Sequence, residues 1–186
     1  LSTSDSDVIL WAQGTNGSGT YDVAINEIDV APLQVQGPRS PGLMVQLFGD
    51  HVLEMPYYSL IHEKLEGISV VVSRTGFSAE VGFEIYPMNA TVNADKLWNR
   101  IMEAGKQFDL HVIAPSEPRR IEAGILVYGQ DMDIENNPYE VGLGWLVDVT
   151  KQDFIGKQSL SQFKALGVAK QLVAVVLGGN PIRWYN

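Results

Sequence analysis

The chain has 186 residues, room for one domain and a fraction at roughly 150 residues per domain. Its 45% apolar and 19% charged residues suit an ordinary globular chain and exclude disorder, collagen-like repeats and coiled coil. A net charge of −9 disfavours nucleic acid and anionic membranes as partners, and the lack of cysteine removes disulfide, thiolate-metal and cysteine-nucleophile chemistry.

Ser4 or Asp5 reads as the cap of a short helix through Ala12, stopped by the glycine-rich stretch Gly14 to Gly19. Alternation predicts strands at Tyr21–Ile25 and Ala31–Gly37, and helical spacing of Leu43, Met44, Leu47 and Phe48 predicts a helix over Pro38–Phe48 ended by Gly49. Tyr58–Lys64, Ile68–Ser73 and Phe83–Tyr86 read as three further strands. Asn93–Phe108 is the clearest helix, with Leu97, Trp98, Ile101, Met102 and Ala104 along one stripe. Helices follow at Arg120–Tyr128 and Lys157–Ala165, and Leu172–Leu177 reads as a buried strand. Strands and helices without strict alternation imply an α+β fold with antiparallel pairing and packed helices. A boundary falls near residue 168, giving a region 1–168 and a new unit from 169. A first residue other than Met and an apolar last stretch suggest a piece of a longer protein.

The richest chemistry lies in Arg74-Thr75-Gly76-Phe77-Ser78-Ala79-Glu80-Val81-Gly82. Two glycines bracket a loop between strands, which permits positive φ and close approach by a ligand. A carboxylate at Glu80 could take two parallel N–H bonds from a cyclic amidine while Phe77 stacks on the ring. The same spacing also fits an exposed hairpin turn with a solvated Glu. Arg119-Arg120 at a helix start opposes the helix dipole, so each needs an internal partner, Glu117 or Glu122, or an anionic ligand. No residue set has metal-ligand spacing: Asp131-Met132-Asp133 lacks the glycine and distal Glu of a calcium loop, and the three histidines are scattered. Gly14–Gly19 has no following Lys-Ser/Thr, so it is no phosphate loop, and no catalytic Ser/His/Asp set can be argued. The chain reads as cytoplasmic, without a targeting or membrane-spanning segment.

Several blocks, in collinear order from about Gln36 to Lys157, resemble the glycine-cleavage T-protein (aminomethyltransferase) family. Ser73-Arg74-Thr75-Gly76-Phe77-Ser78-Ala79-Glu80-Val81-Gly82-Phe83-Glu84-Ile85 is similar to its "RTGYTGEDGFEI" signature. Gln36-Gly37-Pro38, Leu97-Trp98, Arg120-Ile121-Glu122-Ala123-Gly124, Tyr128-Gly129-Gln130-Asp131, Gly142-Leu143-Gly144-Trp145 and Asp153-Phe154-Ile155-Gly156-Lys157 fit further blocks of that family. The stretch Asp29–Pro38 and the doubled Arg119-Arg120 are closest to its tetrahydrofolate-dependent demethylase branch, which includes dimethylsulfoniopropionate demethylase.

The resemblance implies a one-carbon transferase that uses tetrahydrofolate and a small methyl or aminomethyl donor, the latter on a lipoyl carrier protein. It implies interleaved α+β folate-binding domains followed by a C-terminal β-barrel that would begin at 169. Glu80 falls on the family's folate-binding Glu and Phe77 on the aromatic position before it, and Arg120, which opens the "RLEAG" block, is the third residue expected to bind the cofactor. The family's N-terminal loop bearing the Asp near the reactive folate nitrogen has no counterpart here, so no catalytic residue is assigned and this chain alone is expected to be inactive. The family's pocket Arg falls on Ser116. Two other outcomes keep the same fold: a folate-binding assembly or repair factor without turnover, and the T-protein-like module of a sarcosine or dimethylglycine dehydrogenase.

Overall fold

The computed structural model describes residues 8–19, 21–176 and Gly178. The chain divides into two units, one up to Ile125 and one from Leu126.

The first unit opens with α1 (Val8–Thr15), on which no residue is buried. The capping role expected of Ser4 or Asp5 lies outside the described residues. The expected strand at Tyr21–Ile25 does not form; the segment is irregular and carries exposed Tyr21 and Val23. Alternation favours a strand only where a neighbouring strand takes up its backbone bonds, and among the described residues none pairs with it. Side chains hold the segment instead: Gln13 Nε2 donates to Ile25 O (3.3 Å), and Tyr21 N donates to Asn16 Oδ1 (2.9 Å).

Next come β1 (Leu33–Gln36), α2 (Ser40–Phe48), β2 (Leu60–Leu65), β3 (Ile68–Ser73), β4 (Gly82–Pro87) and α3 (Ala90–Gly105). The strands form one antiparallel sheet in the order β1-β4-β3-β2, as the α+β reading requires. β2 and β3 are joined through Glu66 and Gly67, both at positive φ (53° and 79°), the backbone that a tight hairpin needs.

Period-two patterning gives the sheet two unlike faces. Val35, Val70, Val72, Phe83 and Ile85 point to the core, where they meet Leu43, Met44 and Leu47 of α2 and Leu97, Ile101 and Ala104 of α3. Glu84, Tyr86, Ser73 and Gln36 occupy the alternate positions, so a polar strip runs over the other face. Asn89 precedes α3 in the left-handed region and makes no side-chain cap. Asp29 takes over that task from far away in sequence: its carboxylate accepts from Thr91 N (3.1 Å) and Thr91 Oγ1 (3.0 Å).

α4 (Glu117–Glu122) is shorter than the Arg120–Tyr128 helix expected and begins earlier. Pro118 suits the first turn, where no N–H is required, and Gly124 at φ 69° turns the chain after the last turn.

In the second unit, a 3-10 turn spans Gly144–Leu146 and α5 covers Lys157–Leu166, framed by Gly156 (φ 88°) and Gly167 (φ 78°). The strand expected at Leu172–Leu177 is not observed. Residues 172–176 belong to no strand and are exposed, with one backbone bond from Leu172 N to Glu140 O (2.8 Å); Leu177 lies outside the described residues. An apolar run becomes a buried strand only when a sheet receives it, and among the described residues of this unit there is none. Among the described residues no helix is long and apolar enough to cross a membrane.

Candidate functional site

The loop joining β3 to β4, residues 74–81, leaves the polar face of the sheet and is braced at both ends. Arg74 N donates to Ser59 O (2.9 Å) and Tyr58 N to Arg74 O (3.1 Å). Arg74 Nη1 crosses to Gly82 O (2.6 Å), and its guanidinium lies 4.8 Å from the centre of the Phe83 ring. Val81 O accepts from Gly37 N (2.8 Å) and Ser40 Oγ (2.9 Å), which ties the loop's exit to the start of α2. On the sheet below, Thr75 Oγ1 and Tyr86 OH both donate to Glu84 Oε2.

A pocket of about 320 Å³ opens against this loop, lined by Tyr57, by Arg74 to Gly76 and by Ala79 to Val81. Its volume lies at the small end of the range for ligand sites. Tyr57 and Tyr58 form a tilted aromatic pair with ring centres 4.3 Å apart. Partial burial pushes the Tyr57 phenol above its ordinary pKa, and its hydrogen bond with Tyr58 pushes the same way, while Arg74 pulls it down. The phenol is therefore a neutral donor and acceptor at neutral pH.

Glu80 lies at the pocket and is exposed. Its backbone N–H reaches Ser78 Oγ (3.4 Å), but among the described residues its carboxylate makes no hydrogen bond or ion pair. An anionic group held by a braced loop with its lone pairs open to solvent can accept bidentate bonds from a ligand. Phe77 sits on the same loop, half-buried, and is not among the residues lining the pocket. Arg120 is not among them either. It is 3% exposed, with Nε and Nη2 on Glu117 Oε2 (2.6 Å each) and Nη1 on Ile125 O (3.1 Å). Of the internal partners expected from sequence, Glu117 is seen bonded to it.

The loop's glycines differ from expectation. Neither Gly76 nor Gly82 has positive φ; the left-handed residue of the loop is Ala79, at 56°. Sequence reasoning also missed Tyr57, which lines the pocket, and the bracing of the loop by Gln36 and Glu84, which do not line it. A polar residue at every second strand position marked Gln36 and Glu84 for the solvent face, and nothing local said which loop would lie over that face.

A model of the GCVT N-terminal domain matches residues 2–151, and the chain belongs to that family, the family of the glycine-cleavage T-protein. It is 38% identical over 180 residues to the dimethylsulfoniopropionate demethylase DmdA of Ruegeria pomeroyi, covering 97% of this chain and 49% of that protein. It is 37% identical over 169 residues to an aminomethyltransferase of Thermotoga maritima, covering 89% of this chain and 45% of the relative. An aminomethyltransferase of Caldanaerobacter subterraneus is 34% identical over 172 residues, with 90% and 46% covered. The chain thus spans about half the length of the curated relatives it matches.

Proposed function

We propose that this chain forms the folate-binding part of a tetrahydrofolate-dependent one-carbon transferase of the methyl-transferring, demethylase-like kind. The observation that carries the reading is Glu80, an exposed carboxylate with open lone pairs beside a phenol and a tied guanidinium. The donor set fits a reduced pterin: its cyclic amidine edge offers two parallel N–H groups, which is the pattern a carboxylate accepts. Tetrahydrofolate would supply the nucleophilic nitrogen that receives the one-carbon unit.

The chain's own residues would bind and orient. Glu80 holds the amidine edge, Tyr57 offers its ring and hydroxyl to the flank, and Arg74 stays fixed by Gly82 O and Phe83 while keeping positive potential at the mouth. Holding two reactants at a fixed separation is the main rate contribution available to such a site. Phe77 is proposed to close over the ring from the loop. Arg120 supports the reading only indirectly, by fixing α4 through Glu117.

The choice of a small methyl donor rests on Ser116. It begins α4 with no side-chain cap bond, and where the family carries a pocket arginine it presents a short neutral hydroxyl. A guanidinium there would repel a cationic sulfonium donor, and a serine does not. Residues 169–186 are proposed to open a further, barrel-forming domain, and the protein to work in the cytoplasm.

The test incubates the full-length protein that carries this chain with tetrahydrofolate and either a small methyl donor or an aminomethyl-loaded lipoyl carrier. Methyltetrahydrofolate from the small donor is the expected product. Methylenetetrahydrofolate from the carrier alone would overturn the demethylase-like assignment. Folate binding with no turnover of either donor would make the protein a folate-binding assembly factor, and a flavin domain upstream would make it a dehydrogenase module.

A further inference from the structure

We propose that Gln36 is a positioning residue for the ligand loop: its carboxamide is the template around which residues 74–82 fold. On this view Gly76 and Gly82 are glycines because that carboxamide lies between them. The effect on ligand rests on the pterin reading of the pocket; the effect on the loop does not.

Gln36 ends β1 opposite Gly82 of β4. Its Nε2 lies 3.2 Å from Thr75 O, 3.2 Å from Phe83 O and 3.4 Å from Val35 O, and Ser78 Oγ donates to its Oε1 at 2.9 Å. A carboxamide has two N–H donors and one acceptor oxygen. Three carbonyls around the nitrogen and one hydroxyl at the oxygen fix its orientation, because the flipped amide would turn its oxygen onto three carbonyls. One side chain thereby holds the entrance of the loop at Thr75, its middle at Ser78 and its exit at Phe83.

The glycines report the same arrangement independently. A Cβ on Gly76 would stand 2.0 Å from Gln36 Oε1, and one on Gly82 would stand 2.3 Å from Gln36 Nε2. Both glycines have ordinary φ, so the backbone itself would accept alanine. The obstacle at each is the mobile end of one long side chain, which can be displaced. Alanine at either site would therefore evict the carboxamide and release the bonds it makes, the same loss that substitution of Gln36 produces.

The experiment uses the full-length protein with Gln36→Met, which keeps volume and removes the amide, Gln36→Ala, Gly82→Ala, and the double variant Gln36→Ala/Gly82→Ala. One measurement is native-state trypsin cleavage after Arg74; the other is tetrahydrofolate titration together with the KM and kcat of transfer. Each single variant should be cleaved faster after Arg74 and should bind tetrahydrofolate about tenfold more weakly, from the loss of one to two net hydrogen bonds. The KM for folate should rise while kcat at saturation and the KM for donor hold, which a general loss of stability would not produce. The double variant should match Gln36→Ala, because Gly82→Ala has no amide left to evict. Ser78→Ala removes the bond to Gln36 Oε1 together with the long contact from Glu80 N (3.4 Å) and leaves the Nε2 bonds in place; it should give a smaller increase in cleavage, which covers a failure of the Gln36 variants to fold. Unchanged cleavage in Gln36→Met, or additive effects in the double variant, would overturn the proposal. If the unsubstituted protein binds no tetrahydrofolate, the pterin reading falls, and the cleavage arm still decides whether Gln36 shapes the loop.

Discussion

Replacing Glu80 by Gln changes one charge and almost no volume, so it separates binding from folding. In the free protein the Glu80 carboxylate is exposed and makes no bond among the described residues. Folding therefore loses little, and the unfolding free energy should stay within about 0.5 kcal/mol of the parent. In the complex the carboxylate would accept two N–H bonds from the amidine edge. Gln keeps one acceptor oxygen, loses the charge, and turns an amino group toward a ligand donor. Arg74 cannot compensate, because it carries the wrong charge and is tied to Gly82 O. Hydrogen bonds to a charged group contribute about 1.5–3 kcal/mol, equivalent to roughly 10- to 150-fold in Kd. The assay is calorimetric titration of tetrahydrofolate into the full-length protein and its Glu80→Gln variant at one salt concentration, beside thermal unfolding without ligand. Equal affinity in the two would refute the assignment and leave Glu80 a solvated turn residue.

Three further outcomes follow from packing and titration. Leu97→Ala removes a fully buried side chain between α3 and the sheet and should cost about 3–5 kcal/mol, read as a lower denaturant midpoint at unchanged slope. Gly105→Ala reverses the usual gain of alanine in a helix: its Cβ would lie 2.3 Å from Leu110 Cδ2 and 2.7 Å from Leu110 Cβ, so denaturant unfolding should show a loss of about 1–3 kcal/mol. Thr150 donates its hydroxyl (2.6 Å) and its N–H (2.9 Å) to Asp148 Oδ1, and these bonds, the hydroxyl first, hold the carboxyl below its ordinary pKa. A depressed folded pKa stabilises above the unfolded value, and that contribution is lost as pH falls through the folded one. NMR titration should find the Asp148 midpoint shifted upward in Thr150→Val, and an unchanged midpoint would remove the hydroxyl as the cause.

The parts of this fold that were legible in sequence are those decided locally. The β2–β3 hairpin, α2 and most of α3 follow from periodicity bounded by glycine, and the 74–82 loop stood out because charge, glycine and aromatic residues crowd between two strands. The misread parts depend on partners. Among the described residues, Tyr21–Ile25 alternates without a strand to pair with, and 172–176 are apolar without a sheet in their unit to receive them. Arg120 carries a charge that suits either a ligand or a neighbour, and its burial beside Glu117 is a feature of the folded chain that no local pattern announces. Gly76 and Gly82 suggest a positive φ in sequence, and neither adopts one; a Cβ at either would instead meet the Gln36 carboxamide. Their neighbour, Gln36, lies 40 and 46 residues away in sequence, beyond any local pattern.

β1 is a four-residue strand at one edge of the sheet, and among the described strands it pairs with β4 alone. Short, singly paired edges open by local fluctuation at far lower free energy than the whole domain unfolds. Each opening of β1 at its Gln36 end would withdraw the carboxamide from the loop, and if that carboxamide shapes the loop as proposed, the pocket is shaped only while the edge is closed. Linkage then runs in both directions: a ligand that favours the shaped loop must also favour the closed edge, by the same factor. Hydrogen exchange of the β1 amides should slow when the pocket fills, although no ligand atom need touch them, whereas amides of the central strand β3 should change little. The shortest strand of the sheet would thus be the place where occupancy of the site can be read from a distance.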